Sequence, residues 1–146
     1  MAQSDLIDDI DEPTVTADHV NRRVDDWLER LRQLFSAIKD WAAMNGWTAT
    51  DGKPLPMNEE PMVQFGLPPE AQPVLTLQSP TGGTVLVKPK ALWVIGANGR
   101  VDLYSTKGAY TLVDVAEQFQ PPQWRLHRVG QQKGHDFAPG QIADMV

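Results

Sequence analysis

Apolar residues recur at Val20, Val24, Trp27, Leu31, Leu34, Ile38 and Trp41, a 4-3-4-3-4-3 spacing. That spacing puts all of them on one stripe of an α-helix. Leu28, Phe35 and Ala42 lie beside the stripe and widen it to the face of a core-packed helix. The pattern predicts a helix over 17–45, with Thr16 or Asp18 as its cap and Asn45-Gly46 as its stop. At about 1.5 Å per residue it would be roughly 40 Å long. That exceeds the width of a short sheet, so one end is expected to overhang, free for a partner or for a homodimer through the helix. The opposite face mixes Arg22, Arg23, Asp25, Asp26, Glu29, Arg30, Arg32, Lys39 and Asp40, and reads as solvated, with Asp26 and Arg30 in the favourable i,i+4 order.

After residue 74 the period changes from helical to alternating. VLTLQ (74–78) and TVLVK (84–88) flank the five-residue loop SPTGG, and Pro89 reads as the break after the second strand. ALWVIG and RVDLYS flank Asn98-Gly99, the strongest short signal for a type I′ hairpin turn. Pairing outward from that turn sets Val94 opposite Leu103 and Trp93 opposite Tyr104. One face then carries Leu92, Val94, Val101 and Leu103; the other carries Trp93, Ile95, Asp102 and Tyr104. A sheet with one wet face shows polar residues there, so this reading leaves two apolar faces and one helix to cover them. AYTLVDV (109–115) and QWRLH (123–127) supply the last strands. Short connections imply antiparallel pairing. The expected fold is α+β: one long N-terminal amphipathic helix packed on an antiparallel β-meander of five or six strands.

The rest of the chain divides by composition. Residues 1–15 read as an acidic flexible arm, in which Leu6, Ile7 and Ile10 interrupt the acids. Residues 16–146 read as a single domain. Within it, 48–73 is a connector with six prolines, able to hold one short helical turn from Glu59 to Phe65. The sheet spans 74–128. The tail, 129–146, is polar and ends in a turn from Gln141 to Met145.

Charge and composition narrow the function. The net charge is −6 and the pI about 4.9, which argues against non-specific binding to nucleic acid. With no cysteine, disulfides and thiolate chemistry are absent. No apolar run approaches a membrane span, the acidic N-terminus lacks a signal pattern, and a cytoplasmic location is expected. No motif identifies a family.

Several constellations hold chemically active residue types. His127, His135 and Asp136 are metal-ligating types, but their spacing fits no ligand motif, and no metal or other cofactor is expected. Asp102 with Lys107, Asp114 and Glu117 would suit a metal-dependent hydrolase or nuclease, again without diagnostic spacing. No G-x-S-x-G or phosphate loop is present. Lys88, Lys90, Trp93, Arg100, Tyr104, Trp124, Arg125, His127 and Arg128 interleave cations with aromatics, a composition that suits nucleic acid, although no RNA-binding signature accompanies it. Trp, Tyr and Arg dominate binding hot spots, which makes Trp93, Ile95, Arg100, Asp102 and Tyr104 the candidate partner-binding set. The sequence reading is therefore a small non-enzymatic protein-binding module. It would act as an inhibitor, an immunity-type protein or an accessory subunit, toward a basic or nucleic-acid-processing partner. Hydrolase and nucleic-acid-binding protein are the alternatives.

Overall fold

The computed structural model describes residues 15–131 and 133–146; the acidic arm therefore lies outside the described residues, apart from Val15. The first helix, α1, runs Ala17–Met44. Thr16 is its cap, its hydroxyl oxygen accepting the His19 N–H at 3.1 Å. Gly46 adopts a left-handed φ of 74°, and the Trp47 N–H closes on the Ala42 carbonyl at 2.9 Å, as the Asn-Gly stop predicts. The apolar stripe is buried from Val20 to Ala42. The expected overhang is not found, because this stripe is covered along its length by the protein's own core.

Among the described residues nine strands follow: β1 Thr48–Asp51, β2 Leu55–Met57, β3 Glu70–Gln72, β4 Leu75–Gln78, β5 Thr84–Val94, β6 Ala97–Ser105, β7 Gly108–Asp114, β8 Trp124–Arg128 and β9 His135–Asp136. A five-residue helix, α2 (Glu60–Gln64), interrupts them, and a 3₁₀ turn, Pro139–Met145, ends the chain. Seven strands form one antiparallel sheet in the order β1-β4-β5-β6-β7-β8-β9, and β2 pairs with β3 separately. The architecture is the expected helix on an antiparallel sheet. The sheet has seven strands against the expected five or six, and its edges were not foreseen: β1 comes from the proline-rich connector and β9 from the tail. Met57 and Met62 bring the connector into the core, and Ile142 and Met145 bring in the last turn.

The hairpin register differs from the sequence reading. TVLVK and ALWVIG are not two strands. They are one, β5, which runs through Pro89 with an irregularity between Pro89 and Ala91. β4 stops pairing at Val87, so Pro89 lies beyond the reach of that neighbour, where a missing N–H costs little. The turn is Ile95-Gly96, closed by Val94 opposite Ala97, with Gly96 at φ 81°. Asn98 and Gly99 are strand residues. Leu103 faces Val87, Asp102 faces Lys88, and Tyr104 faces Leu86.

This register removes the problem of two apolar faces. One face carries Leu75, Leu77, Val85, Val87, Val101, Leu103, Leu112 and Leu126, all buried with the α1 stripe in one core. Below the Trp93–Asn98 pair at the hairpin end, the other carries three cross-strand rows. Ala91–Arg100–Val113–Arg125–Asp136 lies next to that pair, then Lys88–Asp102–Thr111–His127, then Thr76–Leu86–Tyr104–Ala109. It is the mixed, mostly polar outer face of a sheet packed on one side only.

Candidate functional site

The five residues of the candidate partner-binding set separate into two places. Arg100, Asp102 and Tyr104 alternate along β6 and share the outer face. Asp102 is 5% exposed although it lies on that face. Its carboxylate accepts from Arg100 Nε at 2.7 Å, from the Tyr104 hydroxyl at 3.1 Å and, at 3.5 Å, from Thr111 Oγ1. Burial first, and then the Asp102 charge, raise the Tyr104 hydroxyl above its ordinary pKa. The carboxylate is thus spent within the sheet, while the Tyr104 ring stays 44% exposed.

Trp93 and Ile95 belong instead to the end of the β5–β6 hairpin. Beyond Val87 the open edge of β5 is met by Glu59, at the start of α2. One Glu59 carboxylate oxygen accepts the Leu92 N–H at 2.9 Å and the other accepts the Trp93 N–H at 3.1 Å. Arg23 of α1 lies over the Trp93 ring at 5.4 Å and donates to Asn98 Oδ1 at 3.1 Å. Asn98 donates in turn to the Ala116 carbonyl at 2.6 Å. A Cβ on Gly99 would fall 2.2 Å from Trp27 Cζ3. Asn98-Gly99 therefore serves as a packing and hydrogen-bonding node, and Trp93 is half-buried. On this braced base the turn holds Ile95 at 105% relative exposure.

A second network joins the helix to the β7–β8 connection. Arg30 is 3% exposed and Asp114 is fully buried. Arg30 donates to Asp114 Oδ2 at 2.6 Å, to Asp26 Oδ2 at 2.5 Å and to the Gln120 carbonyl. Asp114 Oδ1 accepts the N–H groups of Ala116 and Gln123. Phe119, at a left-handed φ of 64°, lies under the Arg22 guanidinium at 3.8 Å and edge-on to His19. Arg30 thus belongs to the core and not to the solvated face on which it was expected. Its place was legible, because it stands three residues after Trp27 and four before Leu34, on the buried stripe.

The other constellations do not assemble into a centre. Asp136 pairs with Arg125 at 2.7 Å. His127 shares the outer face with Arg125 and stacks close to the Gly134 backbone, whereas His135, next to Asp136, points to the opposite face. Among the described residues, no three His, Asp or Glu side chains gather as a metal-binding group. Of the cationic and aromatic set, Lys88, Arg100, Tyr104, Arg125 and His127 reach the outer face together. Trp124 packs on Trp27 at 6.2 Å on the core side. No helix among the described residues is long and apolar enough to cross a membrane. No family model, curated protein or solved structure matches this chain.

Proposed function

We propose that the protein is a non-enzymatic binding module that inserts the Ile95 turn into an apolar pocket of another protein. The observation that carries this reading is the full exposure of Ile95 on a braced hairpin. A β-branched apolar residue is a poor choice for a two-residue turn, and here it is fully exposed, with no burial against the described residues to offset that cost. A residue that breaks a local rule without an internal gain marks a functional position. The bracing by Glu59, Arg23 and Trp27 supports the same reading, since a contact held rigid before binding loses little entropy on association. Inhibitor, immunity-type protein and accessory subunit all fit such a wedge.

The preference for a basic partner rests on residues 1–14. They hold five of the 19 acidic residues and none of the 13 Lys and Arg, leaving 14 acids against 13 cations in the remainder. Steering toward a basic partner is therefore assigned to the arm, and the short-range contact to the turn.

A photo-crosslinking amino acid at position 95 tests the reading in the native host, with position 81, at the tip of the β4–β5 hairpin, as control. A discrete adduct from 95 that is absent from 81 is expected. Equal adducts from both positions, or none from 95, would remove it.

A further inference from the structure

We propose that the β7–β8 connection, residues 115–123, receives a lysine or arginine side chain of the protein that takes the Ile95 turn. This rests on the Ile95 reading and adds to it the chemistry of the partner. Three observations carry it.

The connection breaks a local rule of its own. The Gln120 N–H closes on the Glu117 carbonyl at 3.1 Å, and Phe119, third in that turn, takes the left-handed φ of 64°. That place belongs to glycine or asparagine. A phenylalanine there is strained. Its stack under Arg22 returns less at an exposed site than such a backbone costs. Strain of this kind gathers at sites that hold a ligand.

The same bend encloses a cleft of about 470 Å³. Val115, Pro121 and Pro122 give it apolar walls, and Glu117, Gln120 and Gln123 give it polar groups. Glu117 is exposed and, among the described residues, makes no ion pair. Lysine and arginine match this combination, because the stem is apolar and the head is cationic. An anionic guest would meet Glu117 with like charge. A purely apolar guest would strip water from Glu117 and put nothing in its place.

The cleft is preformed and within reach of the turn. Asp114 Oδ1 accepts the Ala116 and Gln123 N–H groups, the Val115 N–H closes on the Gln123 carbonyl at 2.9 Å, and Arg30 holds the Gln120 carbonyl. Two prolines stiffen the far wall. A site held in this way loses little entropy on association. Asn98 ties it to the β5–β6 hairpin through the Ala116 carbonyl. Arg100 lies opposite Val113, so Val115, two residues on, stands beside Asn98. With strands about 4.8 Å apart and residues about 3.3 Å along them, Val115 lies about 10 Å from the Ile95 tip. A partner covering about 800 Å² spans both.

The adduct formed by the full chain with the crosslinker at position 95 provides the assay, and excess protein without the crosslinker is the competitor. Glu117→Gln should compete about tenfold less well than the unaltered protein, with the same Tm. Glu60→Gln, which removes an exposed acid from α2, should compete normally. A crosslinker at position 115 should capture the same partner as position 95, on a peptide with lysine or arginine beside the attachment point. Position 129 is the control: Val129 is 59% exposed and lies at the other end of the sheet, where its N–H meets the Ala109 carbonyl. It should capture nothing. The proposal is overturned if Glu117→Gln competes as well as the unaltered protein. It is also overturned if Glu117→Gln and Glu60→Gln are weakened alike, which is charge steering without a site, or if position 115 captures nothing or a different protein. In all of these the adduct from position 95 persists and the Ile95 reading stands. Absence of that adduct removes both.

Discussion

The two hairpins that share β5 solve the same problem differently. The β4–β5 loop, Ser79–Gly83, is self-contained. Ser79 Oγ accepts the Gly83 N–H at 2.9 Å, the Ser79 N–H reaches the Gly83 carbonyl at 2.7 Å, and Gly82 takes the positive φ of 98°. Its exposed tip residues, Thr81 and Gly82, are ordinary turn residues. The β5–β6 turn has no such internal chemistry. Its base is held from outside by α1 and α2, and its tip displays an isoleucine. A turn that serves only the fold satisfies itself. A turn held by two other elements, with an apolar residue at its apex, is shaped for something beyond the fold.

Breaking the external brace is expected to cost most. Gly99→Ala would place a Cβ 2.2 Å from Trp27 at a φ of 103°, and a loss of about 4 kcal/mol or more is expected in urea unfolding. Arg30→Ala would leave Asp114 buried and unpaired. A loss of about 3–5 kcal/mol is expected, with faster amide exchange across residues 115–123. Glu59→Gln keeps the shape but replaces one of two accepting oxygens with a donor. A cost of about 1–3 kcal/mol is expected, with exchange at Leu92 and Trp93 rising while Gly83 is unaffected. Ser79→Ala should do the reverse, at about 1 kcal/mol. If Glu59→Gln and Ser79→Ala prove indistinguishable by exchange, the contrast between the hairpins fails. Ile95→Asp should shift stability by less than about 0.5 kcal/mol and, added in excess, should fail to compete away the adduct formed by the protein with the crosslinker at position 95, whereas the unaltered protein should compete.

Tyr104 sharpens the contrast at high pH. Its folded pKa is raised above 10.0, so the stability it adds is complete below its unfolded value and is lost as pH rises through the folded one. Absorbance titration of tyrosinate should show Asp102→Asn moving that step down toward 10.0.

Periodicity made the helix and the core side of the sheet legible, from Val20 to Ala42 and from Leu75 to Leu126. Local turn chemistry misled at Asn98-Gly99. Its preference for a turn was outweighed by tertiary contacts: the Trp27 ring needs a residue without a Cβ, and Arg23 and Ala116 use the Asn98 amide. Pro89 reinforced the error, because a proline reads as a strand break only where both neighbours pair. β1 and β9, at four and two residues, are too short to show a period. The candidate set was half legible. Arg100, Asp102 and Tyr104 alternate and so had to share a face, whereas the register sets Trp93 opposite Asn98, next to the turn, and leaves Ile95 in the turn itself.

Arg30 has a consequence for how the chain is made. It sits within a helix that is synthesised well before its buried partners, Asp114 and the Gln120 carbonyl, which lie 84 and 90 residues later. At about 5–20 residues per second, the guanidinium waits several seconds on an otherwise apolar stripe. A helix that settled onto the early strands alone would bury a cation matched only by Asp26 of its own helix. The full set of partners that Arg30 needs is therefore complete only once the β7–β8 connection has been made.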